Sequence, residues 1–500
     1  MLRLKSALCV LLAVCLIALC AGCGTAGDNE TAPGESAPPE MRSGEMPQGE
    51  PPEMPNGEAP QGEPPEMPDG EMPQGEPPEI PNGEMPQGEP PEMPNGAGFG
   101  GGAEFTQGES ANTVTTDGTL TGEKYISDGD NENALRVTGA AVTLKSISVD
   151  KAGGGSSNTE AGDFYGVNAA LLATDGAQVT ISGSNISSSA KNGNGIFAYG
   201  EGTQVNAAST VINTTGDNSG GIQTTGGATT TAESLTVKTE GSSSAAIRTD
   251  RGGGTVTVTC GSYRTLGLNS PAVYSTADIT VSKASLKSES SEALVIEGKN
   301  SLTLKECTVT GAMSKTEGSS SAENVHNVML YQSMSGDAEE GTARFAMTGG
   351  TLTGKSGDMF YITNTRAVIK LSEVTIKNLD ESGYLLRVSG NSGERGWGKA
   401  GQNGAQAELT ATKQRLEGDI LVDSISTLTL NLKDESEFTG SISILKNAEG
   451  TAAEDNAVIT VGEGCTWTLT GNCTVSRLEN HGLINFNGYS ITLADGSVLQ

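Results

Sequence analysis

Residues 101–500 predict an all-β fold, a right-handed parallel β-helix solenoid of about 11–12 coils, on three observations. A short apolar opening recurs, most often every 21 to 26 residues and otherwise after a longer excursion. Most openings are followed by a short segment alternating Val, Ile or Leu with Thr or Ser, and often by another. Gly, Asn and Ser separate these segments, and no convincing helical period is present.

In chain order, residues 1–23 read as an export signal. Arg3 and Lys5 precede an apolar core from Ala7 to Leu19, and the segment ends Cys20-Ala21-Gly22-Cys23. The apolar run is about 13 residues, short of the roughly 20 that a helix needs to cross a bilayer, so it predicts export rather than a permanent span. The ending resembles the lipobox of bacterial lipoproteins, in which two small residues precede the cysteine that receives the diacylglyceryl group. The resemblance implies lipidation of Cys23 and an anchor on the outer face of the bacterial cytoplasmic membrane, with exposure at the cell surface. Cys20 stands where that family usually has Leu, with Leu19 one place further out.

Residues 24–100 predict a disordered tether. A 13-residue unit rich in Pro, Glu, Gly and Met begins at Gly44 and restarts at Gly57, Gly70 and Gly83. Pro fixes φ and lacks a donor, Gly breaks regular structure and Glu repels itself, so the segment buries no core. Extended, it could reach on the order of 200 Å. Of the net charge of −31, about half lies here, with 17 Asp and Glu against the single base Arg42 between residues 24 and 99. Without a basic stretch the chain has nothing to neutralise a phosphate backbone, which argues against nucleic acid and leaves the lipid anchor as the membrane contact.

The openings of the solenoid region are Ala134–Val137, Ala170–Ala173, Gly195–Ala198, Gly221–Thr224, Ala246–Thr249, Ala272–Ser275 and Ala293–Ile296, then Val328–Tyr331, Met359–Ile362, Tyr384–Arg387 and Ile420–Asp423. If the second residue of each points inward, strand alternation turns the third outward. The outward row then reads Arg136, Leu172, Phe197, Gln223, Arg248, Tyr274, Val295, Leu330, Tyr361, Leu386 and Val422. In the second segments Thr143, Thr180, Thr257, Thr280 and Thr303 suggest a Thr row, interrupted at Asn206 and Thr230. The whole region resembles the right-handed β-helix superfamily that includes pectate lyases, autotransporter passengers and many surface proteins of Gram-positive anaerobes. The resemblance carries the fold and says little of function.

Two readings of the outward row compete. Aromatic rings and arginines along a long face suit an extended polysaccharide, with Tyr199, Tyr274 and Tyr361 stacking on sugar rings and Arg248 pairing with a uronate carboxylate. Alternatively the row is covered by insertions at roughly 150–167, 311–327 and 390–406, since a long exposed apolar strip is uncommon. The loop holding Arg395 and Trp397 serves either reading, as a sugar platform or as a cap.

For an enzyme of this fold the resemblance implies a polysaccharide lyase or a glycoside hydrolase. Asp358, Asp419 and Asp423, with Asp380, are the weak carboxylate candidates, and Asp358 and Asp419 would lie about twice the 4.8 Å coil rise apart. His326 and His481 are too few and too separated for a triad or a metal. No cofactor is implied; scattered acidic corners are compatible with calcium, without the repeated Asp-rich nonapeptide that would support it. Cys260, Cys307, Cys465 and Cys473 allow three pairings, but Cys307 takes the inward place that Ile147 holds in an earlier coil, which favours small core residues. The expected function is binding or adhesion at the cell surface, to polysaccharide or cell-wall material, with a polysaccharide-cleaving enzyme and a passive spacer as alternatives.

Overall fold

The computed structural model describes residues 107–316 and 324–500. The expected signal and lipidation site at Cys23, and the expected tether at 24–100, lie outside the described residues.

The chain coils into three stacks of parallel strands, a parallel β-helix. Each full coil holds a first strand, a second and a third, and each pairs with its counterpart one coil away. In Gln178–Ser182 the alternation of Gln, Val, Thr, Ile and Ser becomes alternate burial, with Val179 and Ile181 inside. That period of two, repeated coil after coil, lets one narrow apolar interior form without helices. Thirteen first strands share one parallel sheet. They include all eleven openings read from the sequence, plus Thr113–Val114 before them and Ile442–Leu445 after. In Ala228–Thr239 and Gly254–Thr265 the second and third strands run on as one.

Register confirms the inward stack Leu135, Leu171, Ile196, Ile222, Ile247, Val273 and Leu294. It shifts the expectation by one residue in three later strands. Val328, Leu386 and Ile420 point inward, and Met329, Arg387 and Leu421 take the outward places assigned to Leu330, Leu386 and Val422. In His326–Tyr331 every residue is buried, so the alternation that sets register is absent from the sequence. The Thr row is more regular than expected. Thr231, not Thr230, follows Asn206 in register, and the row runs on through Thr257, Thr280 and Thr303 to Ala346. Thr230 turns inward and shares a hydrogen bond of 2.7 Å with Thr224.

Two corner ladders hold the coils in phase. Between second and third strands one residue per coil takes the left-handed conformation, among them Ser146, Ser209, Ser234, Cys260, Lys283 and Glu306. Before the first strands, a Thr-x-Gly-x-x-Ser pattern recurs at Thr214, Gly216 and Ser219, at Thr239, Gly241 and Ser244, and at Thr265, Gly267 and Ser270. Each serine Oγ accepts the backbone N–H of the preceding coil, from Gly193 to Ser219, Ser219 to Ser244 and Ser244 to Ser270, all at 2.9 Å. Each threonine hydroxyl donates to the serine carbonyl of its own coil. The glycines permit this stacking, because a Cβ on Gly241 would lie 1.9 Å from the carbonyl oxygen of Gly216.

Cys307, Cys465 and Cys473 are buried, while Cys260 sits half-buried at its corner. Near the last coils Trp467 stacks on Phe438 with ring centres 5.8 Å apart, and its indole donates to the Gly440 carbonyl at 3.0 Å.

Candidate functional site

The outward side of the first-strand sheet carries Leu172, Phe197, Gln223, Arg248, Tyr274, Val295, Met329 and Tyr361 in one register line. Two separate covers lie on it, and a gap is left between them.

The first cover is the insertion after the third strand Ser148–Lys151. It contains a short helix, Thr159–Tyr165, which the sequence did not announce. Asn158 starts it by accepting the Ala161 N–H at 3.2 Å, and Gly166 ends it with φ of 77°. Ala169, Leu172 and Phe197 form an apolar cluster under it, and a Cβ at Gly166 would touch both Leu172 and Phe197. The coils below reach up to it: Gln223 Nε2 donates to the Asp163 carbonyl, and Thr225 Oγ1 donates to the Phe164 carbonyl at 2.7 Å. Tyr199 is half-buried at this edge, its ring 5.4 Å from that of Tyr165.

The second cover is the loop after the first strand Leu386–Val388. Trp397 folds back to 8% exposure and lies 4.8 Å from the Tyr331 ring. With Val295, Met329, Tyr331 and Tyr361 it makes a closed apolar cluster, against which Tyr274 packs at the edge. Asn391 and Asn403 pin the loop, each donating to the Trp397 carbonyl at 3.0 Å. Tyr361, at 1% exposure, and Trp397 are therefore core of the cover rather than open sugar platforms. Arg395 stays exposed, 5.9 Å above the Trp397 ring. Of the insertion expected at 311–327, residues 317–323 lie outside the described residues. A further excursion at 332–341, not expected from the sequence, reaches the same sheet, where Asp337 pairs with Arg251 at 2.7 Å.

Between the covers lies a shallow pocket of about 150 Å³ lined by Ser243, Ala245, Arg248, Asn269, Pro271 and Tyr274. Its polar wall is fixed from behind. The Arg248 guanidinium lies 2.6 Å from Asp250 and 3.2 Å from Asp163. Burial, which lowers the pKa of Arg248, is outweighed by these two carboxylates, so the group stays charged. Burial also pushes Asp250 up to about 7; Arg248 pulls against that shift, and the nearby Asp163 and Asp337 add to it. The Tyr274 hydroxyl donates to Glu297 at 2.5 Å, and Tyr331 donates to the same carboxylate at 2.9 Å. Tyr274 thus presents a ring that is already immobile.

The carboxylates considered for catalysis are each committed to other partners. Asp358 is buried, 2.5 Å from Arg387, and accepts the Tyr384 N–H at 2.9 Å. Asp423 stands at the opposite end of its strand, accepting from Gly390 and Asn447 at 3.0 Å. Asp419 is exposed and takes the Ser441 N–H at 2.7 Å, and Asp380 is held below the usual carboxylate range by Ser382 and by the Gly357 N–H. Each serves a turn. His326 is buried beside Tyr361 and its pKa is lowered by that burial, while His481 is exposed and pairs with Glu479. Among the described residues no group of three or more His, Cys, Asp or Glu is arranged to hold a metal ion.

No protein-family model, curated protein or solved structure matches the chain.

Proposed function

We propose that the chain is a lipid-anchored cell-surface protein that binds polysaccharide, with an uncharged sugar unit seated against Tyr274 and Arg248. The signal, the lipobox-like ending at Cys23 and the acidic tether support the surface location. The observation that carries the binding reading is the gap between the two covers, where an immobilised Tyr274 ring and the polar Ser243 and Asn269 line one pocket. A ring held in place before binding stacks on a sugar with little ordering cost.

Charge narrows the ligand. Arg248 already faces two carboxylates at 2.6 and 3.2 Å, and a uronate would add a third. The pairing of Arg248 with a uronate, expected from the sequence, therefore gives way to a neutral glycan.

The test is a glycan array probed with the full chain, followed by incubation with each glycan retained and a search for new chain ends. Neutral glycans should be retained uncut, Tyr274→Ala should lose them by at least tenfold, and Tyr274→Phe should keep them. Preference for uronate polymers would sink the neutral-sugar reading. New chain ends would favour a polysaccharide-cleaving enzyme, and no retention at all a passive spacer.

A further inference from the structure

The second-strand sheet carries a different recess, remote in register from the Arg248 pocket. Along its outward side the row Thr257, Thr280 and Thr303 is followed in register by Ala346 and then Lys370. Where the row loses its threonine, the missing hydroxyl and methyl leave a notch of about 290 Å³. Its outward lining is Ser301, Thr303, Arg344, Ala346, Val368 and Lys370.

Arg344 pairs in register with Val368, and Ala346 with Lys370, so the two cations stand diagonally across Ala346. Diagonal neighbours in adjacent strands are about 7–8 Å apart at the backbone, close enough for two long side chains to meet on one small group. Both side chains are exposed, and neither has an ion-pair or hydrogen-bond partner among the described residues. Several cations on the third-strand side are differently placed. Lys238 pairs with Glu240 at 2.5 Å, and Glu289 serves Arg264 at 2.9 Å and Lys287 at 2.5 Å. The carboxylates that border the notch do not close it. Asp278 accepts from the Ser301 hydroxyl at 2.6 Å, and Glu408, in register with Val368 on the next coil, is a diagonal neighbour of Lys370 that forms no ion pair with it.

We infer that the Arg344–Lys370 notch is a second ligand subsite, one that takes a compact anionic group, a phosphate diester or a carboxylate, carried on a surface glycan. Arg344 supplies a planar donor fork and Lys370 a point charge, and the hydroxyl of Thr303 supplies a further donor to the same anion. The Ala346 methyl gives the notch an open floor on which an oxyanion can sit between the two cations. The inference is independent of the neutral-sugar pocket, which lies on another sheet.

Titration calorimetry of the full chain at low ionic strength tests it, with a glycerol phosphate oligomer, an oligogalacturonate and an uncharged dextran oligomer as probes. At least one charged oligomer should bind and dextran should not bind at this notch. The double variant Arg344→Gln, Lys370→Gln should weaken that binding at least tenfold with an unchanged unfolding midpoint. Lys238→Gln, a cation of the third-strand side, and Tyr274→Ala should leave it within twofold. Preference for the phosphate oligomer identifies a phosphodiester ligand, preference for the galacturonate a carboxylate, and equal binding a site that reads charge alone. Wild-type affinity in the double variant, or no binding by either charged oligomer, overturns the subsite. Loss of dextran or neutral-glycan retention in Tyr274→Ala bears only on the other pocket.

Discussion

Arg248 and Asp163 lie 85 residues apart in sequence and 3.2 Å apart between Nη2 and Oδ2. The pair fastens the covering helix to a first strand three coils further along the solenoid. Gln223 and Thr225 tie the same helix to the strand between, so the cover is stitched to successive coils rather than laid on one.

Asp163→Asn removes one carboxylate from Arg248 and leaves Asp250 in place. The loss of a charged hydrogen bond in a mostly buried setting should destabilise the chain by about 1–3 kcal/mol. The segment 152–168 should also become the first site of proteolytic cleavage. Urea unfolding and limited proteolysis measure both, and an unchanged cleavage map would show that the helix is held by its apolar contacts alone.

Asp250 gives the fold a pH dependence. Its folded pKa is raised from 3.8 to about 7, so between those values the folded state holds a proton that the unfolded state has released. Stability therefore falls as pH rises from about 4 to about 7 by this group's contribution. His326 acts in the opposite direction, because its folded pKa is lowered and the unfolded state binds the proton first as pH falls below about 6.5. Asp250→Asn should flatten the decline, read as urea midpoints at a series of pH values. A variant whose midpoints track those of the parent chain between pH 4 and 7 would rule out a raised Asp250.

Ile247 is fully buried in the inward stack, and Thr257 is exposed on the outside of the same coil. Ile247→Asp should cost on the order of 4 kcal/mol or more by burying an unpaired charge, while Thr257→Asp should stay within about 0.5 kcal/mol. Thermal unfolding of the two variants separates these outcomes. A mild Ile247→Asp would mean that the inward register is misplaced.

All eleven openings could be found from their period, and for most of them the inward residue was also readable. One misreading has a clear physical source. Where a cover buries the outer side of a strand, as over Met329, both sides become apolar, and the pattern that distinguishes inside from outside disappears. The insertions at 150–167 and 390–406 were visible as breaks in the period, but which residues they shelter depends on stacking across coils. Phe197 and Trp397 meet their partners only once the coils are in register. The helix at Thr159–Tyr165 is too short to leave a periodic trace, though Asn158 before it and Gly166 after it are the signals that mark its ends. The Ala346 notch could not be read at all, because a missing side chain is informative only beside the threonines that flank it in space.

The Thr-x-Gly-x-x-Ser corners bear on how such a chain changes over generations. Each serine caps the coil before it and is capped by the coil after, so the bond pattern has no fixed first or last member within the run. Excising one whole repeat, or duplicating it, would hand every orphaned donor to an equivalent acceptor. Coil number within this run is thus a quantity that recombination can lengthen or shorten one step at a time.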